Sequence, residues 1–211
     1  MSTAGRILFT ALLISTCCLQ AAEPGWVPLF DGKSLAGWRE AAFQNRGAVA
    51  VNGGTIVLGK GSMTGIAWTG QFPASGYEIR FEAARLEGND FFAGLTFPAG
   101  GSHCFFVAGG WDGTTVGLSN VDGYDASENE TSINRDFVTG RWYAFHLAVT
   151  DRRIQAWIDG ALVIDLDLTA SKVELRFDET DLCKPLGFAS FATRAGLRHI
   201  EYRLLPPATQ R

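Results

Sequence analysis

Three runs decide the fold: Arg141-Trp-Tyr-Ala-Phe-His-Leu-Ala-Val-Thr150, Asp151-Arg-Arg-Ile-Gln-Ala-Trp-Ile-Asp-Gly160 and Ala161-Leu-Val-Ile-Asp-Leu166. Side chains on a strand point alternately to opposite faces. Tyr143, Phe145, Leu147 and Val149 therefore share an apolar face, and Trp142, Ala144 and His146 share the other. Thr150-Asp151-Arg152 and Asp159-Gly160 are turn chemistry. The spacing predicts a meander of strands at 141–150, 153–158 and 162–166.

The same pattern extends outward. Val49 to Leu58 reads as a hairpin around Gly53-Gly54. Ser75 to Leu86 is a longer strand, with Tyr77, Ile79, Phe81 and Ala83 on one side and Glu78, Arg80 and Glu82 on the other. Further strands are expected at 90–97, 103–108, 114–119, 186–192 and 197–204. No long amphipathic helical period interrupts them. Glycine is abundant at 25 residues and aromatics reach 12%, which suits many short strands and turns. The expected class is all-β, a sandwich of two antiparallel sheets, and Trp157-Ile-Asp-Gly-Ala-Leu-Val163 resembles a hairpin common in concanavalin-like jelly-roll sandwiches. Such a sandwich curves, and one outer face becomes a hollow lined by alternate polar and aromatic residues.

The chain opens with an export pattern. Arg6 is the positive region, Ile7 to Ile14 the apolar run, and Ala21-Ala22 the small-residue cleavage region. The run is too short to span a bilayer. A signal peptide at 1–22, a single domain at 25–205 and a tail at 206–211 are expected, in a secreted or periplasmic protein. A lipid anchor at Cys17 is the lesser option, since Ile14-Ser-Thr16 is a poor lipobox. The net charge of −4 falls to −5 without Arg6, which disfavours nucleic acid and anionic lipid as partners. No other segment is long and apolar enough for a membrane span. Cys104 and Cys183 remain after cleavage, either as one disulfide or as two buried thiols.

Chemistry-bearing residues fall in two places. One is the glycine-rich segment Gly109 to Thr131. Its Trp111 and Tyr124 offer flat faces for a sugar ring, and Asp112, Asp122, Asp125, Glu128 and Glu130 offer acceptors for hydroxyls. The alternative is a solvated acidic loop of Asx turns. Its oxygen-rich spacing also allows calcium, but it lacks the EF-hand pattern. No cofactor is expected, calcium being the lesser option, and no histidine spacing suits zinc. The other place is the polar strand faces. Glu78 and Glu82 lie about 13 Å apart on a regular strand. Glycosidase carboxylate pairs are only about 5–9.5 Å apart, so Arg80 between them reads as their neutralising partner. His146 is placed for the hollow, His103 begins a strand beside Cys104, and His199 reads as surface. Asn129-Glu-Thr131 is an N-glycosylation sequon.

Pro28-Leu-Phe-Asp-Gly-Lys-Ser-Leu-Ala-Gly-Trp38 resembles the opening strand of the 3-keto-disaccharide hydrolase domain family of exported β-sandwich proteins. Weaker similarity follows at Gly140-Arg-Trp-Tyr143, Ala156-Trp-Ile-Asp-Gly160 and Pro185-Leu-Gly187. Where other members carry Asn-Ser-Gly-Ile-x-x-Arg, this chain has Asn89-Asp-Phe-Phe-Ala-Gly-Leu95, without the arginine. The resemblance implies a carbohydrate or glycoside ligand and cleavage of 3-keto-glycosides by elimination and hydration. That chemistry needs a general base, for which His146 or His103 is the candidate, and support for an enolate from Asn89, Arg80 or a metal. A non-catalytic carbohydrate-binding module is the alternative.

Overall fold

The computed structural model describes residues 25–176 and 179–206. The expected leader at 1–22 and the tail beyond Pro206 lie outside the described residues. The strands run in chain order as β1 (Val27–Pro28), β2 (Trp38–Glu40), β3 (Val49–Asn52), β4 (Thr55–Leu58), β5 (Met63–Trp68), β6 (Tyr77–Glu87), β7 (Gly94–Ala99) and β8 (Ser102–Gly110). They continue as β9 (Thr115–Ser119), β10 (Ile133–Asn134), β11 (Trp142–Val149), β12 (Arg153–Ile158) and β13 (Ala161–Asp167). A short 3-10 helix at Glu179–Cys183 precedes β14 (Gly187–Phe191) and β15 (Arg194–Leu204).

The first sheet has the order β13-β12-β11-β6-β15-β4-β3, with β1 also paired to β15; the second has the order β10-β9-β8-β7-β14-β5-β2. The expected all-β jelly-roll sandwich is therefore the observed fold. The meander forms as read, with Phe145 opposite Ile158 and Ile154 opposite Leu166. The apolar faces of β6 and β11 meet the second sheet. Phe81 stacks on Phe145 with centroids 4.9 Å apart, and Phe188 of β14 meets Phe81 edge-on at 4.8 Å.

Three departures have local causes. The strand expected from Asp90 begins only at Gly94. Asp90 takes its own neighbour's N–H, with Phe91 N donating to Oδ1 at 2.7 Å, while Asp90 N donates to Thr193 Oγ1 at 3.0 Å. These local bonds compete with the ladder. β5 escapes the alternation pattern because Gly65 breaks it. An added Cβ there would sit 2.5 Å from Phe188 O and 2.9 Å from the Phe43 ring, so glycine lets that ring approach the sheet closely.

The third departure shapes the site. On β15, Arg198 pairs with Glu82 but Glu201 pairs with Arg80, so three steps on one strand match two on the other. His199 adopts φ +52° at this bulge. The bulge reverses the alternation. Leu197 and Ile200 both enter the core, while Arg198, His199, Glu201 and Arg203 stay outside it.

The stretch that carries the family resemblance crosses between the sheets. β1 lies on β15, and β2 lies on β5. The crossing turns at Asp31, whose Oδ1 accepts from Lys33 N and Ser34 N at 2.7 Å. Trp38 is sealed in the core, with its Nε1 donating to Leu29 O at 2.7 Å. Cys104 and Cys183 are both free and buried. They sit in separate apolar clusters, and burial pushes both thiols up to about 12. The disulfide alternative is thus not the one realised.

Candidate active site

The outer face of the first sheet carries a hollow of about 1010 Å³. Its lining comes from five elements: Glu78, Arg80 and Glu82 on β6, Ala144 and His146 on β11, Trp157 on β12, His199, Glu201 and Arg203 on β15, and Trp26 just before β1. Antiparallel register sets the rows. Trp157, His146, Arg80 and Glu201 face one another across four strands, and Glu78 faces Arg203 in the adjacent row.

At the centre is His146. Its ring stacks on Trp157 with centroids 4.8 Å apart and planes 20° apart. Trp26 meets it edge-on at 6.2 Å. The indole of Trp26 also carries Arg80 at 4.2 Å and Arg203 at 4.7 Å from its ring centroid. His146 Nε2 lies 3.2 Å from Glu78 Oε1, and this nitrogen is shut off from solvent without a well-aligned hydrogen bond. Burial holds the imidazole below its ordinary pKa. Glu78 opposes that shift, and Arg203 and Arg80 add to it.

The carboxylates do not share Arg80 in the way the sequence suggested. Arg203 Nε donates to Glu78 Oε2, Arg80 Nε donates to Glu201 Oε2 at 2.8 Å, and Arg198 Nε donates to Glu82 Oε2 at 2.8 Å. Burial would raise the Glu82 carboxyl, but hydrogen bonds from Arg198 and His199 outweigh it and hold it low. The expected ladder along one strand is instead a lattice across strands, because cross-strand neighbours are closer than i, i+2 neighbours. His199 is exposed, as expected, and the bulge also sets it at the edge of the hollow, with Nδ1 3.1 Å from Glu82 Oε1.

The remaining sequence candidates lie elsewhere. His103 shares a side of β8 with Phe105 and Val107, which pack on the outside of the second sheet, whereas Cys104 and Phe106 enter the main core. His103 and His146 are therefore on opposite faces of the sandwich and cannot serve one site. Asn89 is exposed in the β6–β7 connection. Trp111 and Asp112 form the tip of the β8–β9 hairpin, with φ +44° and +67°, closed by Gly113 N donating to Gly110 O at 3.2 Å. None of these lines the hollow.

The acidic segment is occupied with its own shape. Asn129 Nδ2 donates to Leu118 O and Asp125 O at 2.7 Å, and its Oδ1 accepts from Thr131 Oγ1 at 2.6 Å. The sequon asparagine is thus an internal clip. Asp122 Oδ1 accepts from Lys172 N at 2.8 Å, Asp125 Oδ1 from Ser127 Oγ at 2.6 Å, and Glu130 from Ser171 Oγ at 3.0 Å. Tyr124 is exposed, and Glu128 N donates to Asp125 O in the local turn. The Asx-turn alternative describes this loop. Among the described residues no three His, Cys, Asp or Glu side chains converge as a metal site.

Sequence reasoning passed over Trp26, Trp157, Glu201 and Arg203. Trp157 was within reach, because Arg153, Gln155 and Trp157 alternate with buried Ile154, Ala156 and Ile158. Trp26 and the β15 side chains were not. Their placement depends on a long-range pairing and on the bulge.

Fold and site together define an antiparallel jelly-roll sandwich with an indole- and imidazole-lined polar hollow over one sheet. The chain belongs to the 3-keto-alpha-glucoside-1,2-lyase-like domain family, whose model matches residues 25–181. It is a sandwich domain of a carbohydrate-active family. Its fold is similar to that of Crh5 transglycosylase in the apo form, at 15% identity and a TM-score of 0.60, covering 87% of this chain and 85% of that one. It is also similar to a candidate glycosyl hydrolase of Parabacteroides distasonis ATCC 8503, at 14% identity and a TM-score of 0.57, covering 86% and 94%. SCLam, a non-specific endo-β-1,3(4)-glucanase of family GH16, shares the fold at 12% identity and a TM-score of 0.52, covering 87% and 93%. At these identities the likeness is one of fold alone. No curated protein matches the sequence.

Proposed function

We propose that the protein cleaves 3-keto-glycosides by elimination followed by hydration, with His146 as the general base. The observation that carries this reading is a half-buried imidazole, held below its ordinary pKa, in the hollow and directly opposite Arg80 across the strands. A base must be unprotonated at working pH, and burial provides that. The C3 ketone acidifies the C2 proton. His146 takes that proton, and the C–H electron pair moves onto the ketone oxygen as an enolate beside the Arg80 guanidinium. The enolate collapses, the C1–O bond breaks, and its electron pair leaves with the aglycone oxygen, which takes up a proton. Water then adds across the new C1–C2 double bond. Export fits this reading, since the Arg6, Ile7–Ile14 and Ala21-Ala22 order would deliver the domain to glycosides outside the cytoplasm.

One observation favours a binding module instead. Each carboxylate of the hollow has an arginine partner, so no lone acid stands ready for proton transfer. Incubation of the protein from residue 23 onward with a 3-keto-glycoside separates the two readings. The enzyme reading expects aglycone release that falls about 10²–10⁴-fold in His146→Ala. No release, but saturable glycan binding lost in Trp157→Ala, would establish the module.

A further inference from the structure

Glu78 lies on β6 and is only 8% exposed. Both of its oxygens are directed. Oε2 takes the Nε–H of Arg203 from β15, and Oε1 lies 3.2 Å from His146 Nε2 on β11. We propose that Glu78 is a positioning residue: it holds His146 as the Nε2–H tautomer and leaves Nδ1 as the nitrogen that receives a proton from the substrate. This rests on the reading of His146 as the base.

Two independent features support it. A carboxylate facing an imidazole nitrogen only accepts, so that nitrogen carries the hydrogen. His146 Nε2 is also shut off from solvent, while the side chain as a whole is 35% exposed, so Nδ1 is the nitrogen left for a ligand. When Nδ1 gains a proton, the carboxylate offsets the imidazolium charge across the ring. The charged and aromatic groups that line the hollow with His146 are Glu78, Arg80 and Glu82 on β6, His199, Glu201 and Arg203 on β15, Trp157 on β12 and Trp26 before β1. Of these, the carboxylate of Glu78 is the acceptor placed against Nε2.

Glu78→Gln gives a directional test. A glutamine side chain has one acceptor oxygen and one donor amide, whereas arginine can only donate. The oxygen must therefore serve Arg203, and the amide then faces His146. The ring must accept at Nε2 and carry its hydrogen on Nδ1, which removes the base. Long-range ¹H–¹⁵N spectra of the whole protein at neutral pH read the tautomer directly, with His146 assigned by its loss in His146→Ala. The wild type is expected as Nε2–H and Glu78→Gln as Nδ1–H. In parallel, kcat should fall about 10²–10⁴-fold while KM changes less than about threefold. The wild-type spectrum needs no variant, so it stands even if Glu78→Gln folds poorly. Turnover by a wild type in the Nδ1–H form overturns the positioning role and keeps the enzyme reading, as does an unchanged tautomer in Glu78→Gln. The expected tautomers without turnover uphold the positioning and overturn the enzyme reading.

Discussion

The two outer faces of the sandwich are built on opposite plans. The first sheet presents Glu78, Arg80, Glu82, His146 and Trp157 to an open hollow. The second presents Phe105, Val107 and Ala189, and these are covered by Ala41, Phe43, Ala126 and Cys183 from loops and the short helix, with Met63, Phe91, Leu175 and Leu182 packed alongside. A sheet face must be either wet and polar or dry and covered. This chain uses each option once. The long connections after β2 and β9, with Leu175 and the 3-10 helix, are therefore lids on an apolar sheet. Length, glycine and acidity made the β9–β10 connection look like a binding loop, yet its side chains close hydrogen bonds within the loop and to the segment beside it.

The sharpest way to break this division is to remove a lid residue. Phe43 is 1% exposed and its ring lies over Gly65. Phe43→Ala should cost about 3–5 kcal/mol of stability, the usual loss for a buried phenylalanine. Denaturant unfolding measures it. Glycoside turnover per folded molecule should stay unchanged, because the hollow is on the other face. A selective loss of turnover with stability intact would place function on the second sheet.

A smaller effect tests which aromatic surface meets sugar. Trp157 flanks the base in the hollow, whereas Trp111 sits at a hairpin tip that does not line it. Trp157→Ala should weaken glycoside binding about tenfold, the ~1.4 kcal/mol expected of one good aromatic contact. Trp111→Ala should leave it within about twofold. Titration calorimetry with the same glycan reads both, and the reverse order would return the site to the β8–β9 hairpin.

How far the sequence could be read follows from which contacts were local. β11 and β12 were legible because Tyr143, Phe145, Leu147 and Val149 keep strict alternation, and Asp159-Gly160 marks the turn between β12 and β13. The same alternation put His146 and the Glu78-Arg80-Glu82 row on the outer face. β5 was hidden, since Gly65 carries no signal until Phe43 is known to cover it. On β15 the cue was present but faint: in Leu197-Arg-His-Ile200 two polar residues separate two apolar ones, where alternation allows one. That extra residue is the bulge that brings His199 to Glu82 and Glu201 to Arg80. Trp26 belongs to the hollow only through the pairing of β1 with β15, between residues far apart in sequence.

The smallest effect, and the one that reads charge directly, is the pH dependence of stability. Burial lowers the pKa of His146 on one face. Burial, helped by Lys184 and opposed by Asp181, lowers that of His103 on the other. In the unfolded chain both return to about 6.5. Below that value the unfolded chain binds more protons than the folded one, so stability falls as pH drops from 6.5 toward the lower folded values and recovers as pH rises. Glu82 acts in a separate, more acidic window, because its stabilising contribution is lost only as pH falls through the carboxylate range. Melting temperature measured between pH 5 and 7.5 should therefore rise with pH. His146→Asn and His103→Asn should each flatten part of the slope, independently, because the two rings lie on opposite faces. If Glu78 instead held His146 as a paired cation, the His146 share would reverse sign, and stability would fall as pH rose through the histidine range. A protonated His146 could not take a proton from carbon, so that reversed slope would remove the base from the hollow without any substrate being added.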